Sequence, residues 1–241
     1  MKLTRLLSVV ASVACIGLAA PASATIITAT YHGTVNDGTD FAGVFGGVAG
    51  SSLAGLAFTS IYTFDTTLGT PVSVTGGSCG IGCTYDQNYT SGGTAYETSS
   101  PSLGASLIIN GISVTFDGSY FGKISGYHDS NGLSENFHAA DNSPTSYLQN
   151  YVNGLGLTSL PIDINATYAW NPSMGASQYG LSVISDSVGN QLYYADLYST
   201  GGTLDVTSDT TSVPEPATFS LLALGLLGLG AVRRRNRQAA A

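Results

Sequence analysis

The stretch Leu107-Ile108-Ile109-Asn110-Gly111-Ile112-Ser113-Val114-Thr115-Phe116 decides the fold class of this chain. After the Asn-Gly pair, apolar residues alternate with Ser113 and Thr115, which is the period-two pattern of a half-buried strand. An Asn-Gly pair between two such runs is typical of a type I′ turn. The stretch therefore predicts a β-hairpin and makes an all-β fold the first expectation.

Similar patterns extend this prediction along the chain. We predict further strands at residues 25–31, 57–64, 120–127 and 203–207. A second hairpin is predicted from residues 179–187 and 191–198, with its register left open. On its second strand, alternation places three residues on one face: Leu192, Tyr194 and Asp196. Sheets packed face to face would bury the apolar stripes, so we expect a β-sandwich, jelly-roll-like, over residues 25–207.

One segment carries the pattern of a helix. Ser143 suits the N-cap and Pro144 the first helical position. The apolar residues that follow share a helical face, and Asn153-Gly154 provides a stop signal. We predict a short helix from Ser143 to Gly154.

Positively and negatively charged residues occupy separate parts of the chain. Of the seven Lys and Arg residues only Lys123 lies in the interior, where all fifteen carboxylates fall, from Asp37 to Glu215. One lysine against fifteen carboxylates gives this interior a formal net charge of −14. Such a surface repels phosphate backbones and offers no counterion release, which excludes nucleic acid as a partner.

The N-terminus has the organisation of a secretory signal peptide. Lys2 and Arg5 precede an apolar run over residues 6–20, which is too short to span a bilayer. Small residues then follow, with Ala22 and Ala24 where signal peptidase needs them. We predict a signal peptide over residues 1–24 and a mature chain that begins at Thr25.

The C-terminal segment combines a proline box, an apolar stretch and a basic cluster. The box is Val213-Pro214-Glu215-Pro216, and residues 217–232 carry no charge. As a helix, these sixteen residues would reach about 24 Å, just short of the usual spanning length. The basic stop follows: Arg233, Arg234, Arg235 and Arg237. By the positive-inside rule we expect these arginines to stay in the cytoplasm and residues 25–213 to lie outside.

This order over residues 213–241 resembles the PEP-CTERM sorting signal. The resemblance implies that an exosortase recognises the box, removes the helix after transient membrane insertion and moves the protein outside. Exosortases are membrane-embedded cysteine transpeptidases of exopolysaccharide-producing Gram-negative bacteria, so the implied destination is the cell surface or extracellular matrix. Tails of this kind also carry an ice-binding label, which concerns the tail and not the preceding domain. Residues 208–212 are predicted to be a polar linker before the box.

Cys79 and Cys83 are the cysteines of the predicted mature chain, spaced Cys-Gly-Ile-Gly-Cys. In an oxidising compartment such a pair favours one local disulfide. A redox motif would have two intervening residues rather than three, and a zinc site would need two further ligands. We therefore predict a disulfide and no metal at this pair.

Three other groups of residues are weaker candidates for chemistry. The segment from His128 to Asn142 contains Asp129, Glu135, His138 and Asp141, which could form an acid/base or metal cluster, although a polar surface loop is the simpler interpretation. Residues 36–40 have the oxygen density of a calcium loop but suit a turn equally well. The fourteen tyrosines and Trp170 could provide stacking platforms for sugars, or core and cross-strand contacts.

The sequence contains none of the nucleophile-elbow, zinc-protease or phosphate-loop motifs. We therefore predict no enzymatic activity and no cofactor. The leading hypothesis is a non-catalytic surface or matrix protein that associates with exopolysaccharide. The alternatives are a secreted carbohydrate-active enzyme, which needs two carboxylates across a cleft, and an ice-binding protein, for which Thr28-x-Thr30 is the only hint.

Overall fold

The computed structural model describes residues 23–130, 136–154, 161–171 and 176–212. A 3-10 turn covers Thr94–Tyr96. Within these ranges the strands follow in chain order: β1 Ser23–Thr34, β2 Asp37–Asp40, β3 Ser51–Ser52, β4 Ala57–Asp65, β5 Thr70–Gly80, β6 Cys83–Gly92, β7 Ser102–Ile109, β8 Ile112–Phe116, β9 Phe121–Asp129, β10 Asn136–Asn142, β11 Ser146–Gly154, β12 Tyr168–Trp170, β13 Ala176–Ser185, β14 Gln191–Asp196 and β15 Thr203–Ser212.

The strands form two antiparallel sheets. The six-stranded sheet has the order β12-β15-β1-β4-β7-β8, and the nine-stranded sheet has the order β3-β2-β14-β13-β11-β10-β9-β6-β5. One buried cluster draws on both sheets, and Tyr62 donates a hydrogen bond to Asn150 from one sheet to the other at 2.8 Å. This arrangement confirms the all-β prediction and is that of a β-sandwich. Its strand count differs from the eight strands of a jelly roll.

The predicted hairpin is present as β7 and β8. Ala105 pairs with Phe116 and Ile109 with Ile112, so Asn110 and Gly111 alone connect the strands. Both connecting residues have positive φ, 53° and 76°, which a type I′ turn requires. Leu107 and Ile109 are fully buried on the inner face.

The second predicted hairpin is β13 and β14, with Leu181 opposite Asp196. Tyr193, Ala195 and Leu197 are buried. Because side chains alternate along a strand, the face that was expected to hold Leu192, Tyr194 and Asp196 is the outer one. The register left open by the sequence is therefore fixed by the neighbouring strands and the core.

The predicted helix from Ser143 to Gly154 is wrong, because Ser146–Gly154 is strand β11, paired with β10 and β13. The Ser143 hydroxyl accepts hydrogen bonds from the amides of Thr145 and Ser146 at 3.3 and 3.0 Å. These are the bonds that an N-cap makes, but here they close the turn between β10 and β11. Leu148, Asn150 and Val152 are buried, which is strand alternation.

The compact unit comprises Thr25–Thr210. The strands predicted at 25–31, 57–64, 120–127 and 203–207 are present as β1, β4, β9 and β15, with β9 beginning one residue later than predicted. β15 continues to Ser212, so residues 208–212, predicted as a polar linker, extend this strand instead. Threonine suits an extended chain because its branched side chain packs well on a pleated surface.

Parts of the two predicted targeting segments lie outside the described residues. They are residues 1–22, with Ala22, and residues 213–241, with the box and the basic stop. β1 begins at Ser23, so the predicted cut after Ala24 falls just inside its first residues. In the described part of the chain, no helix has the length and apolar character that a membrane crossing requires.

Candidate functional site

The predicted disulfide between Cys79 and Cys83 is formed, and it closes the tip of the β5–β6 hairpin. A carboxylate oxygen of Asp129 lies within 4.8 Å of the sulfur atoms. Sulfurs bonded to each other provide no thiolate ligands. The disulfide is therefore a local covalent cross-link within the hairpin.

The carboxylates of Asp129 and Asp141, in the polar segment from His128 to Asn142, do not lie close together. Asp129 ends β9, whereas Asp141 on β10 pairs with Gly122 near the start of β9. Seven residues of strand separate positions 122 and 129, which corresponds to about 23 Å. Glu135 and the side chain of His138 lie outside the described part of the chain.

Asp141 is a buried carboxyl group between the sheets. Its Oδ2 accepts a hydrogen bond from the Ser102 hydroxyl at 2.9 Å, and no protein donor among the described residues reaches its Oδ1. Burial raises the pKa of this carboxyl from 3.8 to about 6, against the opposing effect of the Ser102 hydrogen bond. Such a group influences stability through its protonation.

We expect the contribution of Asp141 to the free energy of unfolding of the mature protein to increase as the pH falls from 7.5 to 4.5. Because the folded pKa of Asp141, about 6, lies above the ordinary 3.8, the native state binds this proton more tightly than the unfolded chain does. The stabilisation is complete below the unfolded pKa and is lost as the pH rises through the folded pKa. The change amounts to about 2 kcal/mol, measurable by urea unfolding across this pH range.

The matched control for this pH dependence is Asp141→Asn, which keeps the shape of the side chain and cannot titrate. Other carboxyl groups titrate in both proteins, so the difference between the two unfolding free energies isolates Asp141. A difference that stays constant from pH 4.5 to 7.5 would contradict the prediction.

The possible calcium segment at residues 36–40 includes β2, Asp37–Asp40. Asp40 is fully buried, and its two carboxylate oxygens accept hydrogen bonds from the amides of Val44 and Phe45 at 2.7 and 2.8 Å. Asp37 accepts a hydrogen bond from the amide of Gly38. Asp40 therefore anchors the loop that follows β2.

The aromatic residues divide between the core and one surface. Trp170, Tyr31, Tyr62 and Tyr193 are buried. Eight half-buried tyrosines neighbour residues on inward-facing positions of the nine-stranded sheet, so alternation places their rings on its outer face. This tyrosine face comprises Tyr85, Tyr89, Tyr127, Tyr147, Tyr151, Tyr179, Tyr194 and Tyr198.

Strand register aligns four of these tyrosines in a row across the sheet. Tyr151 lies opposite Tyr179, and Tyr179 comes opposite Tyr198, between the pairs Leu181–Asp196 and Gln178–Ser199. In the other direction the row passes position 138 on β10 and Ser125 on β9 to Tyr89 on β6. We call Tyr198, Tyr179, Tyr151 and Tyr89 the tyrosine row.

The rings on this face contact one another. The Tyr151 and Tyr179 rings stack with centroids 5.3 Å apart, and the Tyr179 and Tyr198 rings lie at 4.9 Å. Tyr85 and Tyr127 form a second stack at 5.3 Å. The contacts organise the rings into two groups, one on each side of β10.

Two tyrosines of this face stay uncharged at neutral pH. Burial raises the pKa of the Tyr147 and Tyr151 phenols, so both stay protonated at neutral pH. Lys123 Nζ lies 5.4 Å from the centroid of the Tyr89 ring, a cation–π contact, and burial lowers the pKa of this amine. The face can offer aromatic planes, phenol groups and side-chain amides to a ligand.

The C-terminal segment matches the family model of the PEP-CTERM protein-sorting motif over residues 212–235. This chain carries a PEP-CTERM protein-sorting motif. No curated protein matches the chain, and no solved structure does. The PEP-CTERM motif makes the protein an exported, membrane-anchored precursor that is processed by an exosortase and sorted to the cell surface.

The matched part of the PEP-CTERM motif includes the box Val213–Pro216 and three of the four arginines predicted as the basic stop. Pro214 and Pro216 fix φ, lack amide donors and disfavour helix in the residues before them. An extended box is the form that a protease cleft accepts. The individual roles of Glu215 and of the arginines stay predictions.

Sequence reasoning singled out the tyrosines as a set but did not assign them to a face. Their spacing held a usable signal, because Tyr85 and Tyr89, Tyr147 and Tyr151, and Tyr194 and Tyr198 are each four residues apart. An even spacing places both side chains on one face of a strand. The alignment of separate strands into a row had no local signal.

Proposed function

We propose that this exosortase-sorted surface protein is a non-catalytic protein that associates with extracellular polysaccharide through the tyrosine row. The tyrosine row carries this proposal. Aromatic rings present flat apolar area at a low entropic cost, together with a phenol that can hydrogen-bond. Half-buried aromatic rings grouped on the outer face of a sheet leave apolar area at the surface, which indicates a binding surface.

The alternative of a carbohydrate-active enzyme has less support. Glycoside hydrolysis needs two carboxyl groups at a defined separation across a cleft. The fully buried carboxyl groups of the described residues are Asp40 and Asp141, and each is hydrogen-bonded inside the structure. A cavity of about 340 Å³ at the β7–β8 turn is lined by Leu56, Ala57, Phe58, Thr59, Ile108, Asn110 and Gly111, without a carboxylate.

Ice binding stays a third hypothesis. Thr28 and Thr30 lie on β1, opposite Thr63 and Ile61 of β4. Ile61 is followed across the sheet by Ser106 of β7. Isoleucine thus interrupts the threonine array, and a regular array is what ice binding would need.

We expect Tyr151→Ala and Tyr179→Ala to weaken binding to the exopolysaccharide of the native host. Truncating a tyrosine on which a ligand depends costs more than about 1 kcal/mol, so each variant should bind about tenfold more weakly. Affinity electrophoresis of the mature protein, in native gels containing increasing amounts of the purified polysaccharide, measures this change.

Tyr120→Ala is the matched control. Tyr120 is exposed and lies between β8 and β9, outside the tyrosine face. The Tyr120→Ala variant also loses one tyrosine ring but leaves the tyrosine row intact. Equal migration of wild type and both row variants at every polysaccharide concentration would remove the proposed function.

A further inference from the structure

The tyrosine row has a direction. Tyr198, Tyr179 and Tyr151 lie directly opposite one another on neighbouring strands, and Tyr89 lies on the same line beyond β10 and β9, so the row runs perpendicular to the strands. From Tyr198 beside β14 to Tyr89 on β6 it crosses six strands, and five spacings of about 4.8 Å give a length of roughly 24 Å. A ligand that touches all four rings is therefore an extended chain rather than a single sugar.

Polar side chains border the row near its middle. Gln149 and Asn153 precede and follow Tyr151 by two residues on β11, so both share its face. Side-chain amides offer two donors and one acceptor oxygen, which complement hydroxyl groups of either role. Gln149 also accepts a hydrogen bond from the Tyr147 phenol. The row thus combines apolar planes with neutral hydrogen-bonding groups.

The charge of the domain selects against acidic ligands. Residues 25–212 hold fourteen carboxylates and one lysine, a formal net charge of −13. Asp196 lies on the outer face, opposite Leu181, and accepts a hydrogen bond from Asn36. The single lysine, Lys123, already lies over the Tyr89 ring. The net negative charge of the domain would repel a polymer that bears a carboxylate or sulfate on each repeat.

We propose that the tyrosine row binds an uncharged polysaccharide chain that lies across the strands, from Tyr198 to Tyr89. This inference rests on the proposed polysaccharide association and adds the chemical class and the orientation of the ligand. The rings stack on the apolar faces of sugar units along the chain, and the neighbouring amides hydrogen-bond to their hydroxyl groups.

The class of ligand is tested with two soluble polymers that share one backbone, uncharged hydroxyethyl cellulose and anionic carboxymethyl cellulose, and with neutral and acidic fractions of the host exopolysaccharide. Affinity electrophoresis of the mature protein at low salt should show retardation by the neutral host fraction and by hydroxyethyl cellulose. Carboxymethyl cellulose and the acidic fraction should retard it at least tenfold less, and added salt should reduce this difference by screening.

The orientation is tested at the two ends of the row. Tyr198→Ala and Tyr89→Ala should each weaken binding of long neutral chains about tenfold. Tyr194→Ala is the matched control, because it removes a tyrosine of the same face, four residues before Tyr198 on the chain, and should leave binding unchanged.

The outcomes separate this inference from the proposed function. Preference for the acidic fraction, with sensitivity to Tyr151→Ala, would overturn the uncharged class and leave polysaccharide association intact. Equal losses in Tyr194→Ala and Tyr198→Ala would overturn the orientation across the strands. Failure of every polymer and every host fraction to retard the wild-type protein would overturn both.

Discussion

Replacing Pro214, Glu215 and Pro216 together by alanine is expected to keep the uncut chain in the membrane and to remove the protein from the cell surface and medium. Because proline disfavours helix, we expect the box to be extended, and we expect alanine to let it join the apolar residues 217–232 as helix. A helical box does not present an extended bond to the exosortase. Intact-mass spectrometry of membrane and extracellular fractions from the native host measures the processed fraction, which should fall to near zero.

Two comparisons make this result specific to sorting. Gln238→Ala lies beyond the matched residues 212–235 and should be processed like the wild type. In a host that lacks its exosortase, the wild-type protein should remain uncut in the membrane, as the alanine variant does in the normal host. If the wild-type protein keeps an intact C-terminus in the membrane whether or not the exosortase is present, sorting by this motif is excluded.

Local patterns predicted the sandwich because they report directly on burial. In β7 and β8 the apolar residues alternate, and Asn110-Gly111 supplies the positive φ values that the turn needs. The disulfide is equally local, since Cys79 and Cys83 are only four residues apart. At these two places the deciding residues are close together in the chain, and the sequence was sufficient.

The error at residues 143–154 shows the limit of such patterns. Tyr147, Leu148, Tyr151 and Val152 fit one face of a helix, but they also fit the two faces of a strand. The choice is made by β10 and β13, which pair with this segment on both sides. Tertiary pairing overrides local helix signals in this way.

The tyrosine row could not be predicted from the sequence, because it too depends on the pairing of distant strands. It joins Tyr89 and Tyr198, 109 positions apart in the chain, and its alignment depends on the register of every strand between β6 and β14. A slip of one residue in any strand would move that strand's ring to the other face. The sequence could predict the chemistry of the rings, but the sheet order was needed to bring them together.

The mature protein should lose about 2–5 kcal/mol of unfolding free energy on Leu107→Ala. Leu107 is fully buried in β7, opposite Ser60 of β4 and Val114 of β8. Truncation removes apolar contacts and leaves a cavity that the two adjoining strands can fill only in part. Urea unfolding, followed by tyrosine and tryptophan fluorescence at constant pH, measures the loss.

Leu103→Ala makes the same chemical change on the same strand, at a side chain that is 54% exposed. It should change the unfolding free energy by less than about 0.5 kcal/mol, as surface substitutions usually do. Comparable losses in the two variants would mean that β7 does not present Leu107 to the core, and the hairpin that defines the fold would be wrong. A large loss of unfolding free energy in Leu107→Ala alone would place the inner face of the hairpin between the two sheets. The nine-stranded sheet packs on the other side of this core, so its tyrosine face points outward.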